Sequence, residues 1–96
     1  MSTKHLITGD STAEVIAAIA RQLSFPDYFG GTLDSLYDCL TDLEWLPDGD
    51  YVLVWNAPGR LAQLDPEGYS KLASALTDAV ATGTFGGPRL SIVFRP

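Results

Sequence analysis

Residues 51–55, Tyr-Val-Leu-Val-Trp, form an uninterrupted apolar run rich in β-branched and aromatic side chains. A run of that composition reads as a strand buried on both faces. A turn precedes it at 46–50, Leu-Pro-Asp-Gly-Asp, and Asn56-Ala57-Pro58-Gly59 breaks it. On both sides the apolar spacing changes from continuous to helical, and that alternation is what restricts the fold.

Before the run, residues 5–8 read as a short first strand turned by Gly9 and Asp10. Ser11 and Glu14 have the spacing of a capping box. Val15, Ile16, Ile19, Ala20 and Leu23 then mark one apolar helix face, and the helix ends at Phe25-Pro26, because the residue before a proline avoids the helical region. Pro26 and the pair Gly30-Gly31 make the next stretch a loop. Thr32 is placed to cap a second helix, whose core face is Leu33, Leu36, Leu40 and Leu43. After the run, 60–64 read as a short helix. Asp65-Pro66-Glu67 start a longer one with the stripe Tyr69, Leu72, Ala73, Leu76 and Val80. Gly83 stops it, with Gly86-Gly87-Pro88 behind, and 89–94 form the last strand. Strands separated by helices pair in parallel through right-handed crossovers. The expectation is a small two-layer α/β domain spanning 1–96, with three strands and three or four helices.

Size and charge narrow the function. A chain of 96 residues with 46% hydrophobic content has enough apolar surface for one core without staples. The single cysteine, Cys39, excludes an internal disulfide, and no zinc-site spacing is present. No apolar run is long enough to span a bilayer and no signal-peptide pattern follows Met1, so the expected location is the cytoplasm. Net charge is −6, and no Lys or Arg falls between Arg21 and Arg60. That interval holds Asp27, Asp34, Asp38, Asp42, Glu44, Asp48 and Asp50, seven of the twelve acids. A phosphate backbone would be repelled by such a surface, whereas a basic partner would be steered towards it.

The acids on the second helix are the informative ones. Asp34 sits in the first turn, where the helix dipole favours an anion. Asp38 and Asp42 do not, and like charges at i,i+4 cost an isolated helix about 0.2–0.5 kcal/mol per pair. Aspartate is also a poor helix-interior residue. A solvated acidic surface is one reading of this ladder; a surface kept acidic for a basic partner is the other.

Two runs in this region carry a family resemblance: Pro-acid-Tyr-aromatic-Gly at 26–30, and Leu-Asp-x-Leu-aromatic-Asp-Cys-Leu-Thr at 33–41. Together they resemble the barstar family of bacterial ribonuclease inhibitors, and the order of elements extends the resemblance over nearly the whole chain. The resemblance implies a three-stranded parallel sheet in the order 1-2-3. It also implies that the loop and helix over 28–42 plug a ribonuclease active site. The contact positions it implies are Tyr28, Phe29, Gly30, Thr32, Asp34, Tyr37, Asp38 and Thr41. Tyr37 stands where barstar has a tryptophan. Leu43 stands where barstar has another contacting tryptophan, with Trp45 two residues later. A glutamate contact on the family's last helix falls on or near Asp78.

The remaining chemistry is sparse. His5, the only histidine, has no visible catalytic partner and reads as structural or exposed. Cys39 has acidic neighbours, whereas a reactive thiolate needs positive ones. No Gly-Lys-Ser/Thr follows either glycine pair, so neither is a phosphate loop. Phe29 reads as partly core, and Tyr28 and Tyr37 as surface anchors. The expectation is a protein without catalytic residues, cofactor or metal. The resemblance implies as its partner a small basic, extracellular-type ribonuclease, barnase-like or related and guanyl-preferring, with carboxylates of 34 and 38 standing in for RNA phosphates. Two alternatives remain open: an immunity protein against another basic toxin nuclease, and a Mg²⁺-dependent phosphate hydrolase built on Asp34, Asp38 and Asp42.

Overall fold

The structure, a computed structural model, describes residues 2–27, 29–43, 45–82 and 88–95. Three strands, β1 (Ser2–Ile7), β2 (Asp50–Asn56) and β3 (Arg89–Arg95), form one parallel sheet in the order β1-β2-β3. Helices α1 (Thr12–Gln22) and α2 (Leu33–Asp42) connect β1 to β2. Helices α3 (Pro58–Leu64) and α4 (Pro66–Thr82) connect β2 to β3. The expected α/β architecture, parallel pairing and strand order are all present.

The local signals act largely as read. The Ser11 hydroxyl accepts from the Glu14 N–H at 3.1 Å, but the Glu14 carboxylate reaches back to the Asp10 N–H at 3.2 Å, one residue beyond a closed capping box. Asp65 caps α4 by accepting from the Gly68 N–H at 3.0 Å. The first strand starts at Ser2, earlier than expected, because pairing with β2 draws its polar first residues into the ladder. Helix α1 stops at Gln22, and Ser24 then takes a left-handed φ of 53° before Phe25. The expected stop at Gly83, and the glycines at 86 and 87, lie outside the described residues.

One expectation is corrected. β2 is not buried on both faces. Leu53 and Trp55 are fully buried against the helices, while Val52 and Val54 point the other way and are only half-buried. The cause is topological. Both crossovers step across the sheet in the same direction, and right-handed connections then place every helix on one side. The core lies entirely in that layer: Ile7, Leu53 and Trp55 from the sheet against Val15, Ile19, Leu36, Leu40, Leu72 and Leu76 from the helices.

Candidate functional site

Helix α2 separates its two faces cleanly. Leu36, Cys39 and Leu40 are buried and Leu33 is half-buried, whereas Asp34, Asp38 and Asp42 are exposed along the opposite side. The helix starts as its sequence dictates. Thr32 has an extended backbone, and its hydroxyl oxygen accepts from the Ser35 N–H at 3.1 Å while donating to Ser35 Oγ at 2.9 Å. The same serine explains Gly30: a Cβ there would meet Ser35 Oγ at 3.0 Å. Gly31 has a φ of +78°, a left-handed conformation that side chains rarely adopt. The two glycines therefore hold the loop tight against the first turn of the helix.

Aromatic packing braces the same loop from behind. Phe25 meets Phe29 edge-on at 4.8 Å and Trp45 edge-on at 5.6 Å. The Trp45 indole N–H donates to the carbonyl of Leu23 at 2.9 Å. Phe29 is half-buried against the core, in keeping with its reading as partly core. Tyr28 lies outside the described residues.

Tyr37 does more than stand at the surface. Its ring packs against the core, and its phenolic oxygen is 2.9 Å from Thr82 Oγ1 at the end of α4. Asp78 is one turn before Thr82, so both share one face of α4. The exposed Asp78 therefore lies on the side of α4 that meets Tyr37. Thr82 carried no sequence signal, since it is 45 residues from its partner. Ser35 was also missed, although its place three residues beyond the Thr32 cap is a signal that could have found it.

Two implied contact residues are less open than the resemblance implies. Leu43 is 0% exposed: it ends α2 in the left-handed region (φ 48°), its N–H donates to the carbonyl of Cys39, and its side chain enters the core. The core role given by helical spacing is present, and the side chain offers no exposed surface here. Thr41 is half-buried, and its hydroxyl donates back to the carbonyls of Tyr37 and Asp38 at 3.0 and 3.1 Å. Only part of it faces outward.

The site's electrostatics are simple. Among the described residues, no cluster of three His, Cys, Asp or Glu side chains is gathered closely enough to hold a metal ion. Burial, followed by the charges of Asp38 and Asp42, pushes the Cys39 thiol above its ordinary pKa of 9.0. His5 instead stacks on Tyr51 at 6.0 Å, with Nδ1 3.2 Å from Gln22 Oε1. What remains is a braced loop, an aromatic and a row of exposed carboxylates on two packed helices. That arrangement can accept hydrogen bonds from cations on a partner. No helix among the described residues is long and apolar enough to cross a membrane. In comparison with known families, the model described as Barstar (barnase inhibitor) matches residues 5–94, nearly the whole chain.

Proposed function

The chain belongs to the Barstar family, and from that premise we propose that it inhibits a small basic ribonuclease by occupying its active site with loop 25–32 and the exposed face of α2. A ribonuclease site binds phosphate and is lined with cations. Asp34 and Asp38, one helical turn apart, would take phosphate positions there and accept charge-assisted hydrogen bonds from Arg, Lys or protonated His. Tyr28, Phe29 and Gly30 would shape the leading edge, Tyr37 the centre, and Asp78 the flank supplied by α4.

The observation that carries this reading is the exposure of Asp34 and Asp38 on a helix whose entry loop is fixed by Thr32, Ser35 and the Phe25–Trp45 aromatic group. The carboxylates need no large rearrangement to meet a partner, which limits the ordering cost of association.

The test is an RNA-cleavage assay in which the purified chain is titrated into a panel of small basic ribonucleases, with basic DNA-cleaving toxins included. Stoichiometric loss of RNA cleavage that Asp34→Ala/Asp38→Ala abolishes is expected. Protection against a DNA-cleaving toxin alone would move the assignment to the wider immunity role. Mg²⁺-dependent turnover of a phosphate ester by the chain itself would overturn it.

A further inference from the structure

Among the described residues, the sheet has a face with no layer over it. Leu6, Val54 and Val93 are register partners in one row across the three strands, and Val52 lies beside them. Leu6 is 52% exposed and Val93 48%. All-parallel sheets are almost always covered on both faces; here every helix is on the other side. The rim of this face is basic. Lys4, Arg89 and Arg95 share its parity in the register, against a single carboxylate, Asp50, in a chain of net charge −6. Among the described residues none of these three cations is in an ion pair; the pairs present are Arg60–Asp10 and Lys71–Glu67.

We propose that this face docks an acidic amphipathic helix supplied by a partner protein, at a site separate from the acidic face of α2. The dimensions fit. The apolar row spans two strand spacings, about 9.6 Å, close to the roughly 10 Å diameter of a helix. A groove of about 280 Å³ lined by Lys4, Val52, Val54, Val93, Phe94 and Arg95 runs along it. That volume lies at the lower edge of the roughly 300–1,000 Å³ of small-molecule pockets, and the groove is open along its length. Charge selects the occupant. A second copy laid on this face would bring two cation-rich rims together, on chains that already repel at −6 each. An anionic lipid surface would attract three cations but repel the rest of an acidic chain. A helix with an aliphatic stripe and flanking carboxylates satisfies both the apolar row and its rim.

The experiment titrates the isotope-labelled full chain with a synthetic helix of about 18 residues, five turns, with a Leu stripe flanked by Glu, and follows backbone amide shifts. Shifts are expected at Leu6, Val54 and Val93. A Lys-flanked version of the same helix should bind there at least about tenfold more weakly. Val93→Glu/Arg95→Glu, on an exposed edge strand, should abolish the shifts while retaining ribonuclease inhibition; Lys4→Glu on the opposite edge strand is the second variant should the first not fold. No shift at millimolar peptide, equal binding of the Lys-flanked helix at this face, or shifts confined to α2 would overturn the proposal. So would a concentration-dependent dimer closing over these residues, or their adsorption to phosphatidylserine vesicles in place of peptide binding.

Discussion

The Tyr37 phenol and the Thr82 hydroxyl, 2.9 Å apart, tie the middle of the acidic helix to the last turn of α4. The bond holds two surfaces in register that the chain keeps far apart: the α2 carboxylates, and the α4 face that bears Asp78. It also fixes the ring of Tyr37 between them, so that under the proposed inhibitory role an aromatic anchor would be positioned before a partner arrives. Pre-positioning of that kind lowers the ordering cost of binding.

Removing the bond should therefore matter more to the complex than to the fold. Tyr37→Phe keeps the ring and its packing. A hydrogen bond is worth about 0.5–1.5 kcal/mol net, and this exposed one should lie at the low end. Thr82→Val should cost about the same, and the double variant should cost less than the sum of the two. Urea melts of the four proteins measure this. Strict additivity would show that the two hydroxyls are not coupled.

Leu43 tests a different assignment, that of core against contact. Leu43→Ala deletes a fully buried side chain, a change that costs about 2–5 kcal/mol. Leu43→Gly loses the same packing but relieves the left-handed backbone, worth about 1–2 kcal/mol. The glycine variant should therefore be the more stable of the two, the reverse of the usual order within a helix. Inhibition by the folded fraction should be unchanged in both. An inhibition defect without loss of stability would return Leu43 to the contact surface.

Leu43 also shows which signals in the sequence carry structure. Helical spacing placed it in the core. Residue-by-residue transfer from the family placed it at the contact, because such transfer follows alignment and knows nothing of the left-handed turn that points this side chain inward. Elements, caps and the parallel sheet were legible because each is encoded locally, in Thr32, Asp65-Pro66 or the run at 51–55. The open sheet face was not, since apolar residues in β2 record what a strand can bury and not whether a layer covers it. The Tyr37–Thr82 bond was illegible for the same reason: neither residue's neighbours specify the other.

Cys39 gives a pH-dependent expectation. Burial raises its pKa in the folded state, followed by Asp38 and Asp42, so the native thiol holds its proton more tightly than the unfolded one. Above the unfolded pKa the native state binds more protons, and stability must fall as pH rises towards the folded value. Urea melts in the alkaline range should show that fall, and Cys39→Ala should remove this contribution to it. Alkylation of Cys39 should be slow in native buffer and fast in denaturant. Rapid native alkylation near neutral pH would contradict the buried, neutral thiol.

Steering by the acidic half should appear in salt dependence. The carboxylates of α2 are exposed, and no Lys or Arg lies between Arg21 and Arg60 to offset them. Association with a basic ribonuclease should slow steeply from low to physiological ionic strength, where the Debye length is about 8 Å. Dissociation should change far less, since contact-range pairs are poorly screened. Stopped-flow association and dissociation rates across a salt series separate the two, and an association rate flat in salt would exclude steering.

The sharpest contrast between folding and function falls on Asp38. It is exposed in the free protein, in the interior of α2, flanked at i±4 by Asp34 and Asp42. Asp38→Ala removes two like-charge contacts, each costing about 0.2–0.5 kcal/mol. It also introduces the better helix former, by up to about 0.7 kcal/mol. The free variant should therefore be as stable as the parent or slightly more so. In the proposed complex the sign should reverse, because truncating one partner of a buried, hydrogen-bonded charge pair costs about 2–5 kcal/mol or more, mainly through faster dissociation. Barnase–barstar is itself among the complexes behind that range, so the magnitude is borrowed from the family while the stability side rests on the exposure seen here. Denaturant melts of the free proteins, set beside dissociation rates of their ribonuclease complexes, measure both halves. A variant that unfolds more easily yet inhibits normally would make Asp38 a structural residue and remove the acidic face of α2 from the inhibitory site.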